Sequence, residues 1–223
     1  MTPLHAHSKR NILRRSLIAA AIVLLQSGCS LVGIRSTAEP SYSVLQKEEN
    51  YEVREYDPLV VAETVVDASF DDAGSIAFRR LFGYISGDNA SVAEIAMTAP
   101  VMAADESASA GEEIAMTAPV TGQETSLGWR FAFVLPADYT LENAPLPANP
   151  DVKLEQIPAK KVAVVRYTGS WNEATYARNV QLLERWMNQN RLEPDSLPRV
   201  AGYDPPWTLP FLRRNEIMID IES

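Results

Sequence analysis

Only two of the 223 residues are histidine and only one is cysteine. Both histidines, His5 and His7, lie in an N-terminal stretch that also carries Lys9, Arg10, Arg14 and Arg15. With the apolar run Leu17 to Leu25 that follows, this stretch has the layout of an export signal and is too short to span a bilayer comfortably. Once it is removed, no imidazole remains. Zinc, copper and iron sites usually draw on imidazole or thiolate, so carboxylates, thioethers, tyrosine and backbone are the ligands left, and no metal site is expected. Ser-His-Asp and Cys-His nucleophiles are excluded for the same reason. GxGxxG, GxxxxGK[ST] and HExxH patterns are also absent, which removes nucleotide-binding and metalloprotease readings.

The single cysteine, Cys29, stands in "LLQSGCS". This resembles a bacterial lipoprotein signal, in which the chain is cut before the cysteine and the thiol is lipidated; Gln26 departs from the aliphatic residue usual at that place. The expected organisation is a signal peptide over 1–28, a lipid-proximal tether over 29–46 and a domain over 47–223. The matching location is the cell envelope, lipid-anchored and periplasm-facing. A soluble periplasmic or signal-anchored protein is the alternative. Four of the 20 Lys and Arg precede Cys29 and none of the 29 Asp and Glu do, so the processed chain carries −13. Such a surface is poor for nucleic acid, whose phosphates need clustered cations.

What is present is an ordinary globular composition, 46% hydrophobic and 22% charged. "YEVREYDPLVVAETVV" predicts two strands broken at Asp57-Pro58. Phe78, Leu81, Phe82 and Ile85 then fall at helical spacing, with Asp71 and Asp72 suited to the helix start and Gly87 to its end. "GWRFAFVLPADYT" reads as a strand, and the proline-rich "LENAPLPANPD" as a loop. The first pattern then returns: "VKLEQIPAKKVAVVRYTGS" predicts strand, turn and strand. The next helix has Ser170 and Glu173 in capping-box spacing and Tyr176, Val180, Leu183 and Met187 on one face. Ile217, Ile219 and Ile221 alternate in a last strand. The predicted fold class is α+β: a distorted antiparallel β-barrel of two pseudo-symmetric halves with two flanking helices.

One octapeptide, EIAMTAPV, occurs twice, at Glu94–Val101 and Glu113–Val120. Its apolar residues ending in proline suggest a pair of edge strands joined by the Ala/Ser/acid spacer, which would bring Met97 and Met116 onto one sheet.

The segments "YEVREYDP", "LFGYISGDN", "IAMTAPV", the run from "WRFAFVLPADYT" to "VRYTGSW", and above all "GYDPPWTLPFLRRNE" together resemble the SOUL/haem-binding protein family from about Tyr51 to Ile221. The resemblance implies a distorted barrel of two four-stranded sheets with two helices, and a protein that binds haem or another tetrapyrrole in an apolar groove beside the first helix. A histidine ligand, which some members use, is not available here. Haem or another porphyrin is therefore expected as a ligand rather than a catalytic cofactor, and no catalytic residue is assigned.

A tetrapyrrole is a large apolar disc with two carboxylates, so it needs apolar walls and cations at the rim. Candidate wall residues are Phe78, Leu81, Phe82, Ile85, Met97 and Met116, with Tyr203 and Trp207 as a floor. Candidate cations are Arg79, Arg80, Arg213 and Arg214; one of the last two is equally suited to anchoring its loop on Glu216. Alternatives to tetrapyrrole binding are a non-catalytic envelope interaction protein, and a small-molecule hydrolase using a strand carboxylate such as Glu52, Glu55, Glu63 or Glu155, most of which alternation places toward water.

Overall fold

A computed structural model of the chain describes residues 37–90, 111–205 and 207–222. β1 (Tyr42–Glu48) pairs antiparallel with β2 (Tyr51–Tyr56). β3 (Leu59–Val66) and helix α1 (Phe70–Ile85) follow. The Ser69 hydroxyl caps α1 by accepting from Asp72 N, and Gly87, at φ +108°, ends it in a conformation that only glycine adopts without strain. After the two-residue β4 (Asn89–Ala90) come β5 (Val120–Thr125) and β6 (Gly128–Val134). The proline-rich stretch forms no more than β7 (Leu146–Pro147), paired with β4. The second half is β8 (Lys153–Ile157), β9 (Lys160–Tyr167), α2 (Glu173–Asn190), β10 (Arg199–Gly202), a 3-10 turn (Pro210–Leu212) and β11 (Asn215–Asp220).

The main sheet runs β1-β2-β9-β11-β10-β5-β6-β3-β8, antiparallel throughout. Leaving β1 aside, this order is a palindrome: β10 corresponds to β5, β11 to β6, β9 to β3 and β2 to β8. Each half therefore has the same strand-strand-helix-strand-strand path. Neither first pair of strands is bonded to itself; β2 joins β9 and β3 joins β8. Pro58 and Pro158 stand in the two connections, where a residue without an N–H cannot continue a ladder. The two halves thus exchange strands, and the sheet curls into a half-barrel.

Period-two alternation divides the side chains between the faces of this sheet. Val60, Ala62, Phe131, Phe133, Ala163, Val165, Val200, Ile217 and Ile219 meet Leu81 and Tyr84 of α1 and Leu183, Trp186 and Met187 of α2 in one core. Phe131 lies flat across β5 because position 122 is glycine; a Cβ there would come within 2.7 Å of the ring. On the opposite face, Tyr56, Val162, Val164, Ala201, Tyr203 and Met218 form one cluster and Val61, Ala132 and Val134 another.

Three expectations are corrected. The tether does not extend to residue 46, because Tyr42 to Glu48 is a strand of the sheet. The N-cap of α2 is Asn172, whose side chain accepts from Thr175 N at 3.0 Å, rather than Ser170. The second octapeptide is not a strand: only Val120 enters one, and the rest touches its neighbours through the single bridges Ser86↔Glu113 and Ala38↔Thr117. Its proline, with no continuous partner among the described residues, keeps it from forming a ladder there. The first copy, including Met97, lies outside the described residues, as does Cys29.

Candidate functional site

Helical spacing decides how the predicted stripe on α1 is used. Leu81 and Ile85 point into the core and are buried, whereas Phe78 and Phe82 stand one turn apart at the surface, 40% and 47% exposed. Their rings stack with centroids 5.7 Å apart and planes 13° apart, and Phe78 meets the buried Phe133 edge-on. Together they form a small apolar patch on the outer side of the helix.

The second octapeptide is laid against the end of this helix. Ile114 N donates to Ile85 O at 2.8 Å. Buried Asn89 holds the approach by donating to Tyr84 O and Glu112 O and accepting from Glu112 N. Gly111 passes so close to Gly87 that a Cβ would lie 1.9 Å from its carbonyl oxygen. Thr117 Oγ1 donates to Val134 O, and Ala118 N to Ala38 O. Ile114 is thereby buried while Met116 is 42% exposed. The result is a hollow of about 350 Å³ walled by Phe82, Ile85, Glu113, Ile114, Ala115 and Met116. A second, of about 540 Å³, lies toward the start of α1 among Phe70, Gly74, Phe78, Phe131 and Trp171, with Arg79 at its rim. The stacked phenylalanines contribute one wall to each. Arg80 is engaged elsewhere, with Thr64 Oγ1 at 3.1 Å and Asp151 at 2.8 Å.

Four of the sequence candidates (Phe78, Phe82, Ile85 and Met116) thus share this surface, with Leu81 beneath it. Ile114, Phe70 and Trp171 were not foreseen. Only the register of the octapeptide against the helix, and the end of α2 nearest β9, bring them here.

The remaining candidates lie elsewhere. Tyr203 and Arg214 belong to a buried polar cluster on the face of the sheet away from the helices. Its centre is Glu216, which is fully buried. Glu216 Oε2 accepts from Arg54 Nη1 at 2.8 Å and from the Tyr203 hydroxyl at 2.7 Å; Oε1 accepts from Arg54 Nη2 at 3.0 Å and Arg214 Nε at 3.0 Å. Arg54 also donates to Glu52 at 2.7 Å and to the Tyr56 hydroxyl at 2.9 Å. Arg214 stacks on the Tyr203 ring at 3.7 Å and holds Glu39 with two bonds of 2.9 and 3.0 Å. Arg214 is therefore the arginine that anchors its loop. Arg213 donates to Thr208 O at 2.7 Å, and Trp207 is 79% exposed on the loop after Tyr203. Glu52, one of four strand glutamates of which most were expected to face water, is buried, and Arg54 and Lys47 compensate its charge.

Burial alone would push the Glu216 carboxyl up, but the hydrogen bonds and charge of Arg54, with Arg214 and Tyr203, hold it below the usual carboxylate range. Glu52 is shifted the same way, burial being outweighed by Lys47 and Arg54. The unfolded value of a Glu is about 4.3. A folded value below this means that the stabilisation is complete above the unfolded value and is lost as pH falls through the folded one. Urea unfolding free energies should accordingly fall between about pH 5 and pH 2, and Glu216→Gln should flatten that slope. An equal slope in both proteins would place the linkage elsewhere.

Among the described residues no cluster of three or more His, Cys, Asp or Glu could hold a metal ion. The α1 surface offers aromatic faces, a thioether and a rim arginine, which suit a planar apolar ring with carboxylate substituents.

Comparison with known proteins places the chain in a family. The family described as SOUL heme-binding protein matches residues 37–220. Heme-binding protein 1 of Xenopus tropicalis is 24% identical over 168 residues, covering 75% of this chain and 81% of that protein. A hydrolase from Listeria innocua has the same fold at TM-score 0.51 and 11% identity, over 80% of this chain and 94% of that one. An uncharacterized conserved protein from Listeria innocua gives 0.52 and 11%, over 78% and 93%. Identities this low speak to fold alone. With a match that runs from the segment before β1 to the end of β11, the chain belongs to the SOUL heme-binding protein family.

Proposed function

We propose that this SOUL domain binds haem or another tetrapyrrole reversibly against the outer face of α1, without a histidine ligand and without catalysis. The observation that carries the reading is the exposed, stacked Phe78–Phe82 pair with an apolar hollow on either side, one of them bounded by Met116. The ring lies on the phenylalanines, the Met116 sulfur makes a soft contact, and Arg79 faces a propionate. The name of the Xenopus relative supports the ligand class. The buried carboxylates Glu52 and Glu216 are held ionised by arginines, which suits structure rather than proton transfer.

Titration of the purified protein with ferric haem and with metal-free protoporphyrin tests this. Comparable, saturable affinity for the two is expected, since the ring and not the iron supplies the contacts. A strict requirement for iron overturns the ligand-free mode, and no saturable binding of either overturns the tetrapyrrole reading.

The domain is further proposed to work at the cell envelope, tethered through lipid on Cys29, facing the periplasm and having no role with nucleic acid; the signal-like N-terminus and the charge of −13 support this. Cys29→Ser should move the protein from the membrane to the soluble fraction. Retention of the unprocessed variant on membranes would indicate an N-terminal anchor instead.

A further inference from the structure

The face of the sheet away from the helices carries a cleft of about 230 Å³ that tetrapyrrole binding does not use. It opens where the two half-sheets curl toward each other. Its walls include Val61 of β3, Ala132 and Val134 of β6, Val162 of β9 and Met218 of β11. All five are buried, so the floor is apolar. Polar side chains stand around it, and two of the three cations are paired at hydrogen-bonding distance: Arg199 Nη1 holds Asp220 at 2.5 Å, and Lys160 Nζ holds Asp195 at 3.1 Å.

Arg130 differs. Its Nε is shielded from solvent yet has no hydrogen-bond acceptor, and its ion-pair partner Glu63 Oε2 lies 3.6 Å away, beyond hydrogen-bond reach. Glu63 is itself a weak partner. Burial pushes its carboxyl up against the pull of Arg130, and the adjacent Glu155 carboxylate adds to that shift. A buried guanidinium N–H that its own neighbours do not satisfy favours an acceptor brought by a ligand.

We propose that this cleft is a second ligand site, taking a small amphipathic monocarboxylate whose apolar chain lies on Val61, Ala132, Val134 and Met218 and whose carboxylate bonds to Arg130. The volume equals roughly eight molecules of liquid water. It admits a short chain and is too small for a tetrapyrrole ring. A planar guanidinium selects a carboxylate over an alcohol or amide because it can donate to both oxygens at once.

Calorimetric titration of the purified protein with octanoate, and with octanamide as its uncharged counterpart, tests this. One-to-one binding of octanoate is expected, with octanamide weaker by about tenfold or more. Arg130→Gln should weaken octanoate by about the same factor while leaving octanamide unchanged. Ala132→Leu, which fills the floor, should abolish binding of both. Arg130 is partly exposed, so its variant retains the fold even where the filled floor disturbs it. Lack of saturable octanoate binding, equal affinity for octanamide, or undiminished binding in both variants overturns the proposal. No tetrapyrrole enters the experiment, so its result is independent of the groove on α1.

Discussion

Replacing Arg54 with methionine should lower the unfolding free energy by about 3–5 kcal/mol, the cost of breaking a buried pair by removing one partner. Arg54 has no solvent-exposed surface and donates to Glu52, to Tyr56 and twice to Glu216. Methionine fills much of the same space, so the loss is electrostatic rather than a cavity. Glu216 keeps Arg214 and Tyr203, and Glu52 keeps Lys47, which holds the cost within that range rather than above it. In a domain of this size the melting temperature should fall by roughly 10 °C. The double variant Arg54→Met with Glu216→Leu should lose less than the sum of the two single changes, because the two side chains share two of the same hydrogen bonds. A loss below about 1 kcal/mol in the single variant, a magnitude typical of surface ion pairs, would remove the network from the account of stability.

The second large effect concerns the ligand. Changing Phe78 and Phe82 together to serine should weaken tetrapyrrole binding by about 30- to 160-fold, since each ring contributes roughly 1–1.5 kcal/mol of apolar contact when half of its face is covered. Stability should change little, because both rings are about half exposed and only Phe78 reaches a buried partner, Phe133. Titration with protoporphyrin and a thermal melt of the same preparation separate the two effects. Undiminished affinity with a normal melt would move the ring off α1. A large drop in melting temperature would instead make the pair structural.

Within α1, spacing identified the stripe, an arc of about 100° with Leu81 and Ile85 along one edge and Phe78 and Phe82 along the other. Leu81 and Ile85 went inward and Phe78 and Phe82 outward, since β3 and β6 cover only one side of the helix. Sequence periodicity does not say where the sheet ends. The second octapeptide, strand-like in composition, forms no strand for a related reason. β-propensity describes a residue's fit to a pleated surface, and this segment meets α1 and the segment before β1 rather than a free sheet edge. Glu216 was expected to meet a neighbouring arginine, but its pairing with Arg54 was not, because that meeting depends on β2 and β11 both lining β9.

By itself the sequence determined the α+β class and the two similar halves, and it placed both histidines, His5 and His7, ahead of the domain. These follow from local periodicity and from counting, and neither needs a partner in space. Tertiary structure alone decided which aromatic side chains stay in water, how the strands of the halves exchange, and where charges are buried. Each of those rests on contacts between residues up to 175 apart, such as Glu39 with Arg214, which no window of neighbouring residues contains.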